Sequence, residues 1–313
     1  MKRKNEEMIL EAKLSAPEVC GQLTLASWLE TWLEVYKSPS VSIGTVKMYR
    51  HLIRLIMTSP TAYMPLKDLT EPDIQKMFNA FSRRGSDTHS GRPYSKSIFH
   101  KVYDTLNQAF KKAKRLGYIS SNPCDEIILP QAQENKVLPL THSEQENLEL
   151  ACEAEPLGHL IIFLLNTGLR ASEMYNLCWT DYNPKEKEIY IRKSKTPAGV
   201  RTVPLLNKAH NIILRQPKTC EYIFTAQNGS KVTYDILRKT CMNVKKSAGL
   251  DYFTSHVCRH TFVTRLCEKG VSAQAIAQII GHSDYSYVLS IYAWLEKEQL
   301  KKAIYVLEQK NNG

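Results

Sequence analysis

Six side chains in the second half of the sequence have types suited to work on a phosphodiester: Arg170, Lys195, His256, Arg259, His282 and Tyr292. Arg170 lies in Asn-Thr-Gly-Leu-Arg-Ala-Ser-Glu-Met, where a glycine turn delivers an arginine to the start of a helix. There a guanidinium can offer its fork to an anion beside free backbone N–H groups. Pairing with Glu173, one helical turn later, is an equally good local use of the same charge. Lys195 sits in Lys-Ser-Lys-Thr-Pro-Ala-Gly-Val-Arg-Thr-Val-Pro-Leu, on the connection of a hairpin, where lysines most often serve solubility. In His256-Val-Cys-Arg259-His260 the first histidine and the arginine are three apart, on one face of a helix's first turn, and can address one anion. His282 follows Gly281 in a loop, and Tyr292 comes ten residues later in Ser-Ile-Tyr-Ala-Trp. A histidine can orient a phosphate at neutral pH, and a phenol is a covalent nucleophile once its proton is removed.

His256, Cys258 and His260 invite a metal-site reading. Helical residues two apart diverge by about 200°, so this trio does not converge on one ion, and no metal or other cofactor is expected. The eight cysteines are scattered without a Cys-x-x-Cys pair, which suits buried thiols rather than bridges.

The elements that must position these residues follow from apolar spacing. Leu25, Trp28, Leu29, Trp32 and Leu33 mark a first helix; Val46, Tyr49, Leu52, Ile53 and Ile56 a second. Thr70 and Pro72 open a third, with Ile74, Met77, Phe78 and Phe81 inward, and a fourth runs from about Ser95 to Leu116, with Gly117 as its stop. The leader 1–22 has no clear period, and Pro130 and Pro139 bracket a polar linker over 130–140. Beyond it, helical patterns at Glu144–Ala154 and Leu157–Asn166 lead to Arg170, and Ala171–Leu177 resumes the helix. Glu188–Lys193 and Val200–Leu205 read as a hairpin joined by a Pro-Ala-Gly turn. Everything after Val232 reads as helical, including an amphipathic helix from His256 with Val257, Phe262 and Leu266 buried, and an apolar tail at Leu295, Leu300, Ala303, Ile304 and Leu307. The fold class expected is mainly α with a small β-hairpin or sheet in the second domain (α+β). The domains expected are a four-helix unit over 23–129 and a second unit over 141–313 that carries the six residues.

At 313 residues the chain is long enough for two cores, and 42 Lys and Arg against 31 Asp and Glu give a net charge of +11. That balance fits a polyanion such as DNA or an anionic membrane surface. The fourth helix carries Lys96, Lys101, Lys111, Lys112, Lys114 and Arg115 against the single acid Asp104, and the second adds Lys47, Arg50, His51 and Arg54. Charge runs are commonly just solvated faces, but two on neighbouring helices favour a DNA-facing surface, with Lys47, Arg50, Lys101, Lys111, Lys112 and Arg115 as candidates. No run reaches the ~18 apolar residues of a membrane span, and no signal peptide opens the chain, so a cytoplasmic protein with no membrane partner is expected.

Taken in order, Arg170 in Thr-Gly-Leu-Arg, Lys195 before Arg-Thr-Val-Pro-Leu, His256-x-x-Arg259-His260, Gly281-His282-Ser283 and Tyr292 resemble the tyrosine recombinase, or phage integrase, family. The ten-residue step to Tyr292 and Leu289-Ser-Ile-Tyr292 are most similar to integrases of phages and conjugative transposons. About 22 residues precede the first helix, too few for the extra arm-site domain many of these carry, so that domain is expected to be lacking or lost. The resemblance implies a SAM-like core-binding domain and a catalytic domain closing as a C-shaped clamp on DNA. It implies site-specific recombination: Arg170 and Arg259 clamp the scissile phosphate, His256 and His282 assist, Lys195 protonates the leaving 5′ oxygen, and Tyr292 forms a 3′-phosphotyrosyl bond. It also implies double-stranded recombination sites as partner, a tetramer on DNA joined through the C-terminal helix, and accessory DNA-bending or excision factors. Tyr285 and Tyr287 are rival nucleophiles, set aside because Tyr292 has the matching Ile-Tyr context. A type IB topoisomerase, which reseals the same strand, and a DNA-binding regulator without cleavage are the other readings.

Overall fold

The computed structural model describes residues 22–84, 93–132, 137–192 and 197–309, with side chains described as far as Lys297. The chain separates into two compact units, residues 1–135 and 136–313.

In the first unit, α1 (Leu25–Thr31) starts at a capping box between Thr24 and Ser27 and buries Leu25, Ala26, Trp28 and Leu29. The chain then widens into a π-helical turn over Trp32–Lys37, which keeps Trp32 and Leu33 inside, and tightens into a 3₁₀ turn at Ser38–Ser40, where Pro39 ends the helix. Helix α2 (Ile43–Ile56) is capped by Ser42. Thr70 donates from its N–H and hydroxyl to Asp73 at the start of α3 (Glu71–Arg84). Helix α4 (Lys96–Arg115) stops where Gly117 turns left-handed at φ +76°. The indole N–H of Trp28 donates to the carbonyl of Ala109 at 3.0 Å, pinning α1 to α4. Trp28, Phe78, Phe81 and Phe110 are fully buried in this core, each contributing about 1.5–3 kcal/mol of burial.

In the second unit, a Thr141–Glu144 capping box starts α5 (His142–Glu153). The central helix α6 (Gly158–Thr167) is buried on nearly every side, as its run Leu-Ile-Ile-Phe-Leu-Leu requires. It ends at Gly168, φ +63°, where a Cβ would sit 2.4 Å from the Phe262 ring. The short α7 (Ala171–Met174) follows, with Arg170 as its N-cap residue. A three-stranded antiparallel sheet runs β1 (Tyr182–Asn183), β2 (Glu188–Ile191), β3 (Arg201–Pro204), with Ile189 opposite Val203. The hairpin is as the sequence suggests but shorter, with Pro197–Gly199 a 3₁₀ turn before β3. The two-residue β1 is too brief to show any alternation. Helices α8 (Asn207–Leu214), α9 (Tyr234–Ala248), α10 (Ser255–Glu268), α11 (Ala273–Ile280) and α12 (Ser286–Gln309) complete the unit. The fold is mainly helical with one small sheet, the class the sequence implies.

Helix α10 corrects one expectation. It is not amphipathic: Val257, Cys258, Arg259, Thr261, Val263, Thr264 and Cys267 are all buried, around most of its circumference, whereas Phe262 and Leu266 are half-buried. Its buried threonines satisfy themselves locally, Thr261 and Thr264 donating to the carbonyls of Val257 and His260. That is how a polar sequence lies in the middle of a unit. Among the described residues no helix is long and apolar enough to cross a membrane.

Candidate active site

The carboxyl end of α11 organises the site. Three consecutive carbonyls there each accept from a different guanidinium: Ile279 from Arg201 Nε at 2.6 Å, Ile280 from Arg259 Nη2 at 2.8 Å, and Gly281 from Arg170 Nη2 at 3.2 Å. A helix's last carbonyls lack partners within the helix and carry its negative dipole end, so cations are favoured there. Arg259 also donates Nη1 to the carbonyl of Gly168 at 2.9 Å, which fixes the fork at both ends. Burial, then the charge of Arg170, lower its pKa to about 10, which leaves it charged at neutral pH. Gly281 is left-handed at φ +65°, and a Cβ on it would lie 2.7 Å from Arg201 Nη1 and 2.9 Å from Gly199 Cα. Only glycine lets the backbone come this close.

Arg170 uses Glu173 as well, the local pairing its sequence context offers. Its Nη1 donates to Glu173 Oε1 at 2.7 Å and its N–H to Oε2 at 3.0 Å. Glu173 is buried, and its pKa is lowered because the hydrogen bonds and charges of Arg201 and Arg170 outweigh its desolvation. Arg201, a residue sequence reasoning passed over as strand context, completes this cluster.

His256 lies one turn before Arg259 on α10 and remains exposed. Partial burial of the ring, then Arg259 and Arg170, hold its pKa below the ordinary imidazole value, so it is neutral at pH 7. Its ring meets His260 edge-on at 5.0 Å between centroids. His260 is bonded through Nδ1 to the hydroxyl of Tyr287 at 2.8 Å. Burial raises the Tyr287 pKa to about 12, while burial, His256 and Arg259 lower that of His260 to about 4. The phenol therefore donates, Nδ1 accepts, and the proton of His260 sits on Nε2. The Tyr287 ring stacks on His282 at 5.5 Å, and His282 Nδ1 lies 2.6 Å from the carbonyl of Asp284. A carbonyl only accepts, so Nδ1 of His282 carries a proton.

The low pKa of His260 has a consequence for stability. The folded chain keeps this ring neutral down to about pH 4, whereas the unfolded chain takes up a proton near pH 6.5. Between those values the unfolded state binds more protons, so stability falls as pH falls, by at most about 1.4 kcal/mol per pH unit. His260→Asn is expected to show a smaller drop in melting temperature than the parent between pH 7 and pH 4.5. Equal drops rule out this cause.

Arg170, Arg259, His256 and His282 are thus brought together. Tyr292 is not with them: its hydroxyl donates to the carbonyl of Val271, in the turn before α11. Burial and the neighbouring Cys267 raise its pKa. Lys195 lies outside the described residues, as does Cys20. The tyrosine within the histidine cluster is Tyr287, which the sequence offers only as a rival nucleophile. No group of three or more metal-ligating side chains is present among the described residues.

On the first unit, Lys47 and Arg50 of α2 and Lys101, Lys111 and Arg115 of α4 are exposed. Lys112 differs, half-buried with its ammonium 4.3 Å from the centre of the Tyr36 ring.

The chain is similar to the Tn1549 transposon integrase in complex with a circular intermediate DNA, with a TM-score of 0.73 and 20% identity over 89% of this chain and 100% of that one. It is similar to a lambda integrase tetramer bound to a Holliday junction, with a TM-score of 0.69 and 21% identity over 90% of this chain and 87% of the other. Residues 133–299 match the phage integrase family and residues 24–82 the N-terminal SAM-like domain of phage integrases. The chain belongs to the phage integrase family, the tyrosine recombinases. Relatives include a tyrosine recombinase XerC-like protein of Caldanaerobacter subterraneus subsp. tengcongensis, 26% identical over 91% of this chain and 83% of its own length. The tyrosine recombinase XerA of Pyrococcus furiosus is 29% identical over 88% of this chain and 92% of its own.

Proposed function

We propose that this chain is a site-specific DNA recombinase that integrates and excises a mobile element, cutting each strand with Tyr292. The observation that carries the reading is the pair Arg170 and Arg259, anchored on the adjacent carbonyls of Gly281 and Ile280 with neutral His256 beside them. Two fixed forks are suited to the non-bridging oxygens of one phosphate and to the charge that grows there during attack. In the reaction the Tyr292 oxygen bonds to phosphorus and the bond to the 5′ oxygen breaks. The phenolic proton passes to a base, for which His256 is placed, and Lys195 protonates the departing oxygen. His282 adds a hydrogen bond. Attack by a 5′-hydroxyl of another strand reverses the step, so neither nucleotide nor metal is consumed. Tyr292 must first release the Val271 carbonyl, which makes the described arrangement a resting one.

In this reading residues 23–129 form the core-binding domain, 130–140 the linker and 141–313 the catalytic domain. Lys47, Arg50, Lys101, Lys111, Lys112 and Arg115 contact the DNA backbone, Lys112 once it leaves Tyr36. Four copies assemble on paired recombination sites through the C-terminal helix, with accessory DNA-bending or excision factors, in the cytoplasm.

The test is a nicked suicide substrate made from DNA flanking the gene. The parent protein is expected to accumulate a covalent adduct whose trapped peptide carries the phosphate on Tyr292. Binding without any adduct favours the regulator, and relaxation of supercoiled DNA lacking a recombination site favours the topoisomerase.

A further inference from the structure

Arg201 makes more contacts within the site than either arginine that meets the phosphate. Its side chain is 7% exposed. Nε donates to Ile279, Nη1 to the carbonyl of Gly199 at 2.8 Å and to Glu173 Oε1 at 3.3 Å, and Nη2 to Glu173 Oε2 at 3.1 Å. Both oxygens of Glu173 are thus shared between Arg201 on one side and Arg170 on the other. Arg170, by contrast, is 28% exposed at its side chain and held to the turn at Gly281 by a single 3.2 Å bond. Left to itself, a long side chain that exposed samples several rotamers. Glu173 fixes it, and Arg201 fixes Glu173.

We propose that Arg201 is a positioning residue for strand cleavage, acting through the shared carboxylate of Glu173 to set the guanidinium of Arg170 against the scissile phosphate. The proposal rests on the recombinase reading above. A lysine at 201 keeps the charge but cannot span Ile279, Gly199 and both oxygens of Glu173 at once, because it lacks the planar fork. The carboxylate then shifts, and Arg170 with it. The defect is one of charge neutralisation at a non-bridging oxygen, which gives it a chemical signature. A substrate with a methylphosphonate at the scissile position has a methyl group in place of one such oxygen, so the negative charge Arg170 has to meet is gone.

The experiment compares the parent, Arg201→Lys, Glu173→Gln and Arg170→Lys on suicide substrates with a phosphodiester or a methylphosphonate at the cut site, with non-covalent binding measured alongside. On the phosphodiester Arg201→Lys and Glu173→Gln are expected to cleave about 100-fold more slowly than the parent, the scale of a small misplacement of a catalytic group. On the methylphosphonate most of that loss disappears for both, as it does for Arg170→Lys, and DNA affinity stays at the parent level. Equal losses on the two substrates, which is what a damaged fold produces, overturn the proposal, as does a parent-like rate on the phosphodiester. Absence of any adduct from the parent protein on either substrate strikes the recombinase reading itself and is told apart by that control.

Discussion

Tyr292→Phe forms no covalent DNA adduct, a loss of at least about 10⁴-fold in cleavage, on the scale of removing a nucleophile from a site whose parts act as a unit. Folding is expected to survive, because the change removes only the hydroxyl that donates to Val271, a contact worth about 1 kcal/mol. The sharper question is whether a neighbour takes over. Tyr287 lies between His260 and His282 and feels the charge of Arg259. Its hydroxyl is already committed to His260 and its pKa is pushed up to about 12, so it gives up its proton reluctantly. Tyr285 is 55% exposed in the turn after Asp284. Adduct formation by Tyr292→Phe, located on Tyr287 by mass spectrometry, would falsify the assignment.

Arg259→Lys is expected to cost about 10²–10³-fold in cleavage, the usual loss when one donor to a developing oxyanion is removed. Arg259 joins the carbonyls of Gly168 and Ile280 from a side chain that is almost wholly buried. A single ammonium can satisfy one of these carbonyls or face the phosphate, not both, and an orphaned buried carbonyl costs about 1–3 kcal/mol. The variant is therefore expected to melt at a lower temperature as well. The two effects separate at low temperature, where the variant is folded and binds DNA. If cleavage recovers there to the parent rate, Arg259 is structural only.

Helices with one wet face were legible in the sequence, because their spacing states which side is buried. The buried faces of α1 to α3 follow from that alone. Helix α10 defeats the rule, since polar side chains that bond their own backbone leave no stripe to read. At the site, order and residue type sufficed for Arg170, His256, Arg259 and His282, which do gather. Arg201 could not be found that way. What makes it part of the site is two carbonyl oxygens and a buried carboxylate, and backbone acceptors leave no trace in residue type. Glu173 was visible only as a local partner of Arg170, not as the link to a strand 28 residues further on. The position of Tyr292 is likewise set by a carbonyl.

Three guanidiniums converge on the end of α11, with one carboxylate, Glu173, paired to two of them. Like charges gathered at one helix end repel, and Arg170 and Arg201 both push the Arg259 pKa down. On the proposed reading, a phosphate between Arg170 and Arg259 offsets that repulsion. In that reading the DNA backbone stabilises the second unit as well as serving as its substrate.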